Sequence, residues 1–199
     1  MNFTFLTRCY QPTNIDKIKE SIAKVFTVAE HTYRHIILVD LTHGTDRHLF
    51  DGFADQHTSI FYVEGKNDND SQCTEGMDRT LAQLEPACEN DYIYILDDDN
   101  LLHPDFLSIA DACDGADAVV FRIIGRPTLG TSEIMFTYPV GHIDWANYVI
   151  KLETMKRIKV YHLDGPRRCE DGVFFDHMKR ENCTIKFINK EIAWYNRLR

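Results

Sequence analysis

Three carboxylates stand side by side in this chain, Asp97, Asp98 and Asp99, with Leu96 before them and Asn100 behind. Adjacent carboxylates in one turn repel one another unless a cation or solvent intervenes. A hard divalent ion with oxygen ligands, magnesium or manganese, is the cation such donors suit. The other reading is an acidic, solvated turn. Spacing does not separate the two, because Asp68-Asn69-Asp70 has the same Asp-x-Asp pattern. Position favours the triplet: it abuts the β-prone run Tyr92-Ile93-Tyr94-Ile95-Leu96 and precedes His103-Pro104-Asp105-Phe106, a helix start, whereas Asp68 and Asp70 lie in a polar loop. That loop is not a calcium hand, which would need Gly where Cys73 stands and Glu where Arg79 stands. The six cysteines are dispersed, without a Cys-x-x-Cys pair, so they read as reduced, mostly buried thiols and not as zinc or redox centres.

Acids do chemistry only where a scaffold points them, and the apolar pattern defines that scaffold. Phe3, Phe5 and Thr7 alternate as in a strand, Gln11-Pro12-Thr13-Asn14 supplies turn and cap chemistry, and Ile15, Ile18, Ile22 and Val25 recur at helical spacing. Ile36-Ile37-Leu38-Val39, ending at Asp40, and Ser59-Ile60-Phe61-Tyr62-Val63 are unalternating apolar runs of the kind buried on both faces of a sheet. Leu81, Leu84 and Cys88 predict a helix from Met77 to Cys88. Phe106, Leu107, Ile109 and Ala110 predict the helix after the acidic turn, and Ala118-Val119-Val120-Phe121 the next strand. Beyond that, Trp145, Val149, Leu152 and Met155 predict an amphipathic helix, Lys159-Val160-Tyr161 a short strand, Phe174, Phe175 and Met178 a shorter helix, and Thr184 to Ile188 a last strand. The βαβαβ alternation predicts an α/β sandwich around a mostly parallel sheet, and in such sheets ligands bind beyond the carboxyl ends of the strands, where Asp97 to Asp99 fall.

Composition removes several classes. With 199 residues, 44% of them hydrophobic, one domain with an ordinary core is expected. A formal charge of −9 without a basic run speaks against a nucleic-acid partner. No stretch approaches the roughly 20 apolar residues of a membrane helix, and the N-terminus lacks a signal pattern, so a soluble, cytoplasmic chain is expected.

Four segments in this order resemble a family 2 glycosyltransferase of the GT-A fold: Thr7-Arg8-Cys9-Tyr10 with its Pro and Asn-capped helix, Val39-Asp40, the run from Ile95 through Asp99 to Phe106, and Glu170-Asp171 before an aromatic helix. The resemblance runs from about residue 3 to about residue 190 and implies a single GT-A domain over 1–199. About residues 1–105 would bind the nucleotide sugar and about 106–199 the acceptor. It implies a nucleotide-diphosphate sugar donor, a carbohydrate or lipid-linked acceptor, and a role in cell-surface glycan synthesis that brings the chain to the membrane surface. It implies Mn2+ or Mg2+ held at Asp99 with Asp97, Asp98 beside them, and Thr7, Arg8 and Asp40 framing the nucleoside; Asp40 reads equally as a loop cap. Gly76-Met77-Asp78-Arg79 resembles the family's Gly and Arg, which puts Arg79 near the phosphates or, equally, in a surface pair with Glu75. Within Glu170-Asp171 the resemblance implies that Asp171 takes the proton of the acceptor hydroxyl, with inversion at the sugar; acids here also cap the following helix. His142, Asp144, His162, Arg167 and Arg168 are further candidates around the acceptor and the diphosphate. Two competitors remain: a silent binding or scaffold domain, and a nucleotidyltransferase, whose Gly-rich phosphate loop is absent from Thr7 to Asn14.

Overall fold

One eight-stranded sheet organises the described residues, with strands in the order Thr58–Val63, Thr32–Asp40, Asn2–Cys9, Asp91–Ile95, Tyr148–Lys151, Ala118–Ile124, Ile185–Trp194 and Leu101–Leu102. The computed structural model describes residues 1–27, 30–42, 44–64, 74–124, 143–159, 170–194 and 198. The strands are β1 (Asn2–Cys9), β2 (Thr32–Asp40), β3 (Thr58–Val63), β4 (Asp91–Ile95), β5 (Leu101–Leu102), β6 (Ala118–Ile124), β7 (Tyr148–Lys151) and β8 (Ile185–Trp194). Among the described residues the α-helices are α1 (Ile15–Phe26), α2 (Thr74–Gln83), α3 (Ala110–Cys113), α4 (Leu152–Ile158) and α5 (Glu170–Arg180). β3, β2, β1 and β4 are parallel, with Leu6 level with Ile36 on one side and Ile95 on the other. β7 runs antiparallel between β4 and β6, β8 runs parallel to β6, and β5 closes the far edge antiparallel to β8.

The unalternating apolar runs are explained by cover on both faces. On one face Phe3, Phe5, Tyr92, Tyr94, Val119 and Phe121 meet Ile18 and Ile22 of α1 and Phe106 and Ile109 of a 3-10 turn. On the other, Leu6, Ile36, Ile93 and Ile95 meet Met77 and Leu81 of α2, Leu152 and Met155 of α4, and Phe174 and Met178 of α5. Each fully buried side chain of this size contributes about 1.5–3 kcal/mol relative to exposure. Gly76 sets how closely α2 docks: a Cβ there would lie 2.7 Å from Cβ of Val63, so any side chain would push the helix off the end of β3.

Four sequence expectations are corrected. The segment carrying Trp145, Val149, Leu152 and Met155 is a 3-10 turn (Trp145–Asn147), a strand and a short helix, not one helix. Tyr148, Val149 and Ile150 are bulky or β-branched and buried on both faces, which a strand inside a sheet satisfies and an amphipathic helix does not. The helix expected over Met77 to Cys88 spans Thr74–Gln83, because Pro86 cannot continue it, and Cys88 is exposed before β4. The thiols of Cys9 and Cys113 are buried as expected, and burial pushes each up to about 12. The helix after Pro104 is the 3-10 turn Phe106–Ile109 running into the single turn of α3. Finally, Lys159 ends α4 with φ +57 and is not in a strand; Val160 and Tyr161, like His142, His162, Arg167, Arg168 and Asp68 to Asp70, lie outside the described residues.

Candidate functional site

β1, β2 and β3 end nearly level at Cys9, Asp40 and Val63, and β4 stops lower, with Ile95 level with Leu6, so that the acidic turn begins beside the last residues of β1. β7 brings the acceptor side to the same edge by running backwards: Ile150 pairs with Ile93, which sets Tyr148 and the preceding Asp144 and Trp145 beside the end of β4. Tyr148 is buried, and its hydroxyl donates to the main-chain oxygen of Asp171 at 2.9 Å, tying the first turn of α5 to the same place. Three sequence-distant acids, Asp97, Asp144 and Asp171, therefore gather at one edge.

Arg8 is the cation among them. Its Nε and Nη2 each donate to a carboxylate oxygen of Asp97 at 2.8 Å, a bidentate pair whose side chains are 14% and 27% exposed. Burial works against the guanidinium's charge, yet Asp97, with Asp144 and Asp171 further off, holds its pKa above the usual arginine value. Asp97, expected among the metal ligands, is thus engaged by Arg8 through both oxygens. Asp98 and Asp99 are half-buried beside it. Among the described residues no group of three or more His, Cys, Asp or Glu forms a metal cage. Magnesium and manganese sites on phosphate substrates need none: one or two carboxylates serve, and water and phosphate oxygens complete the shell. The donor set of Asp98 and Asp99 fits an ion of that kind.

The remaining candidates separate. Thr7 is fully buried, with its hydroxyl 2.9 Å from Nε2 of His35, so it supports the sheet behind the edge and does not face a nucleoside. Asp40 is half-buried and accepts the amide of Thr42 at 2.8 Å, which is the loop-cap role. Arg79 is exposed and donates to the main-chain oxygen of Glu64 at 3.2 Å, next to the end of β3. Glu170 begins α5, and Asp171 accepts the amide of Gly172 at 2.8 Å through its side chain. Asp144 caps the 3-10 turn through Ala146, with Asn147 answering its own amide.

Sequence reasoning passed over two groups here. Tyr10, 59% exposed directly after β1, stands at the rim as an open aromatic face; its place after the first strand was the available signal. Tyr148 had none, being hidden in a stretch with helical spacing.

No family model matches the chain, and no curated protein matches it either. Solved structures do match in shape. TarS residues 1–349 from S. aureus, determined with UDP-GlcNAc, shares 16% identity over 98% of this chain at a TM-score of 0.61. The mannosyltransferase PcManGT from Pyrobaculum calidifontis, determined with GDP-Man and Mn2+, shares 13% identity over 98% at 0.64. A 4-diphosphocytidyl-2C-methyl-D-erythritol synthase from Anaerococcus prevotii shares 12% identity over 99% at 0.58. This chain spans 58% of the TarS fragment and 56% of PcManGT, against 89% of the synthase. The fold is therefore GT-A-like, as the sequence resemblance implied.

Proposed function

We propose that the chain is a metal-dependent, inverting glycosyltransferase that moves a sugar from a nucleoside-diphosphate donor to a hydroxyl acceptor. The observation that supports this is that Tyr148, level with the end of β4, holds the main-chain oxygen of Asp171, so that the first turn of α5 and the acidic turn Asp97 to Asp99 share the field of Arg8. The nucleoside lies over the ends of β1 and β2, with Tyr10 offering its ring to the base, Asp40 within the same rim and Arg79 toward the phosphates. Asp99, with Asp98, holds Mn2+ or Mg2+. When bound, the ion neutralises the diphosphate and the acids together and stabilises the leaving nucleoside diphosphate.

Asp171 does the proton work. A sugar hydroxyl is a weak nucleophile at neutral pH, so a fixed carboxylate takes its proton as the oxygen attacks the anomeric carbon from the face opposite the leaving group, and the configuration inverts. Arg8 stays on Asp97 and supplies positive charge to a basin that would otherwise repel the donor. Acceptor selection falls to about residues 106–199. The acceptor class is a carbohydrate or a lipid-linked sugar in cell-surface glycan assembly, reached from the cytoplasmic side by transient contact with the membrane.

The test is a pair of substitutions. Asp99→Ala should lose manganese-dependent binding of nucleoside diphosphates, read by calorimetry over UDP, GDP and CDP. Asp171→Asn should keep that binding and lose at least a hundredfold in transfer to a glycan acceptor mixture. Transfer surviving in the second variant overturns the base assignment. A nucleotidyltransferase is the second reading, favoured by the 89% coverage of the synthase. Pyrophosphate release from a nucleoside triphosphate would identify it.

A further inference from the structure

Asn14 looks like a helix cap in the sequence and does another job in the fold. It precedes α1 but makes no side-chain cap hydrogen bond; its Nδ2 crosses to the main-chain oxygen of Asp98 at 2.9 Å. A second reach comes from the far end of the chain. The amide of Leu198 donates to the main-chain oxygen of Asp99 at 3.0 Å, and the amide of Asn100 closes the turn onto the oxygen of Asp97, also at 3.0 Å. Each of the three consecutive carbonyls of the acidic turn thus has its own donor, and two of these donors lie about 85 and 100 residues away.

We propose that Asn14 and Leu198 are positioning residues for the acidic turn, fixing its peptide planes so that the carboxylates of Asp98 and Asp99 are presented in one arrangement before a donor arrives. This rests on the donor-site reading above and extends it to residues that touch neither ion nor sugar. Both braces act on carbonyl oxygens through neutral N–H groups, so they do not compete with a cation for carboxylate oxygens and add no charge to the basin. A turn held in this way spends less of the binding energy on ordering itself.

The second brace is anchored. Leu198 is partly buried against the cluster that includes Phe3 and Phe106, and β8 leads to it by pairing Trp194 with Leu101, next to the turn, where the Trp194 ring meets His103 edge-on at 4.8 Å.

Four variants of the full chain separate this from a plain structural role. Asn14→Ser keeps a residue type that suits a helix start but is too short to reach Asp98, while Asn14→Ala removes the polar side chain altogether. Leu198→Pro removes the amide, and Leu198→Ala keeps it. The readouts are the affinity for UDP, GDP and CDP with and without Mn2+, and hydrogen exchange of amides 98–100 in the protein without nucleotide. Asn14→Ser, Asn14→Ala and Leu198→Pro should each weaken manganese-dependent binding at least fivefold and speed exchange in the turn. Leu198→Ala, which keeps the amide and trims only its anchor, should weaken binding less than Leu198→Pro, and melting temperatures should agree within a few degrees. If Asn14→Ser matches the wild type, Asn14 is a cap and the proposal fails; if Leu198→Pro binds and exchanges like the wild type, the second brace fails. A wild-type protein that binds no nucleoside diphosphate with manganese sinks the donor-site reading itself, a result distinct from binding that the variants leave unchanged.

Discussion

Two arginine–aspartate pairs sit at opposite ends of the same parallel strands. At the amino ends Arg34 of β2 donates to Asp91 of β4 at 2.8 Å, and Asp91, 1% exposed, also accepts from Asn2, Thr4 and the amide of Ala87. Arg34 in turn reaches Thr4 and the main-chain oxygen of Glu85. At the carboxyl ends Arg8 of β1 grips Asp97 with a similar bond length, but Asp144 and Asp171 share its field and the acidic turn lies beside it. The first pair closes on itself and leaves nothing for a ligand. At the second, Asp144 and Asp171 share with Asp97 the field of one guanidinium. The same residue types, in the same sheet, make a closed network at one end and, on the function proposed above, serve the chemistry at the other.

The largest expected effect breaks the closed end. Asp91→Ala removes a fully buried carboxylate from the half-buried Arg34 and three other donors, a loss of about 3–5 kcal/mol, which for a chain of this length lowers the melting temperature by about 10 °C. Nucleotide affinity measured well below that temperature should hold. The closed region is also the acid-sensitive one. His35, next to Arg34 on β2, has its pKa lowered to about 4 by burial and then by the charge of Lys19. Its folded value lies below its unfolded one of 6.5, so the unfolded chain takes up the proton first as the pH falls. Stability should therefore drop between about pH 6.5 and 4, by about 3 kcal/mol in full for this group. His35→Gln should flatten that part of a plot of unfolding free energy against pH, and an unaltered slope would count against the assignment.

Asp97→Asn is a smaller loss to stability, about 1–2 kcal/mol, because the pair is partly open to water. It should cost proportionately more in manganese-dependent nucleotide affinity, which inverts the pattern of Asp91→Ala; equal patterns would erase the distinction between the two ends. At the bottom of the scale, Glu20→Gln removes an exposed helix pair with Lys24 and should leave both melting temperature and affinity unchanged.

What the sequence made legible follows from locality. The position of the acidic turn after a strand was readable because adjacent residues follow an apolar run, and the buried strands because Ile36 to Val39 and Tyr92 to Leu96 are continuous and β-prone. β7 was not, since Trp145, Val149, Leu152 and Met155 meet helical spacing by coincidence while the sheet uses Tyr148 to Ile150 as an antiparallel insert. Thr7 was misplaced because the residue just inside a strand end and the one just beyond it look alike until the register is known. Asn14 was read as a cap because an amide that caps its own helix and one that reaches across 84 residues have the same sequence signature. The Arg34–Asp91 network had no signature either, with its partners 57 residues apart.

Cys88 gives the molecule a practical handle. It is exposed at the amino end of β4, about 16 Å of strand away from the acidic turn, while Cys9 and Cys113 are buried with thiols too weakly acidic to react near neutral pH. In a variant with Cys73, Cys169 and Cys183 replaced by serine, a maleimide dye or a biosensor surface coupled at Cys88 would therefore hold the protein at the amino end of β4, away from the acidic turn.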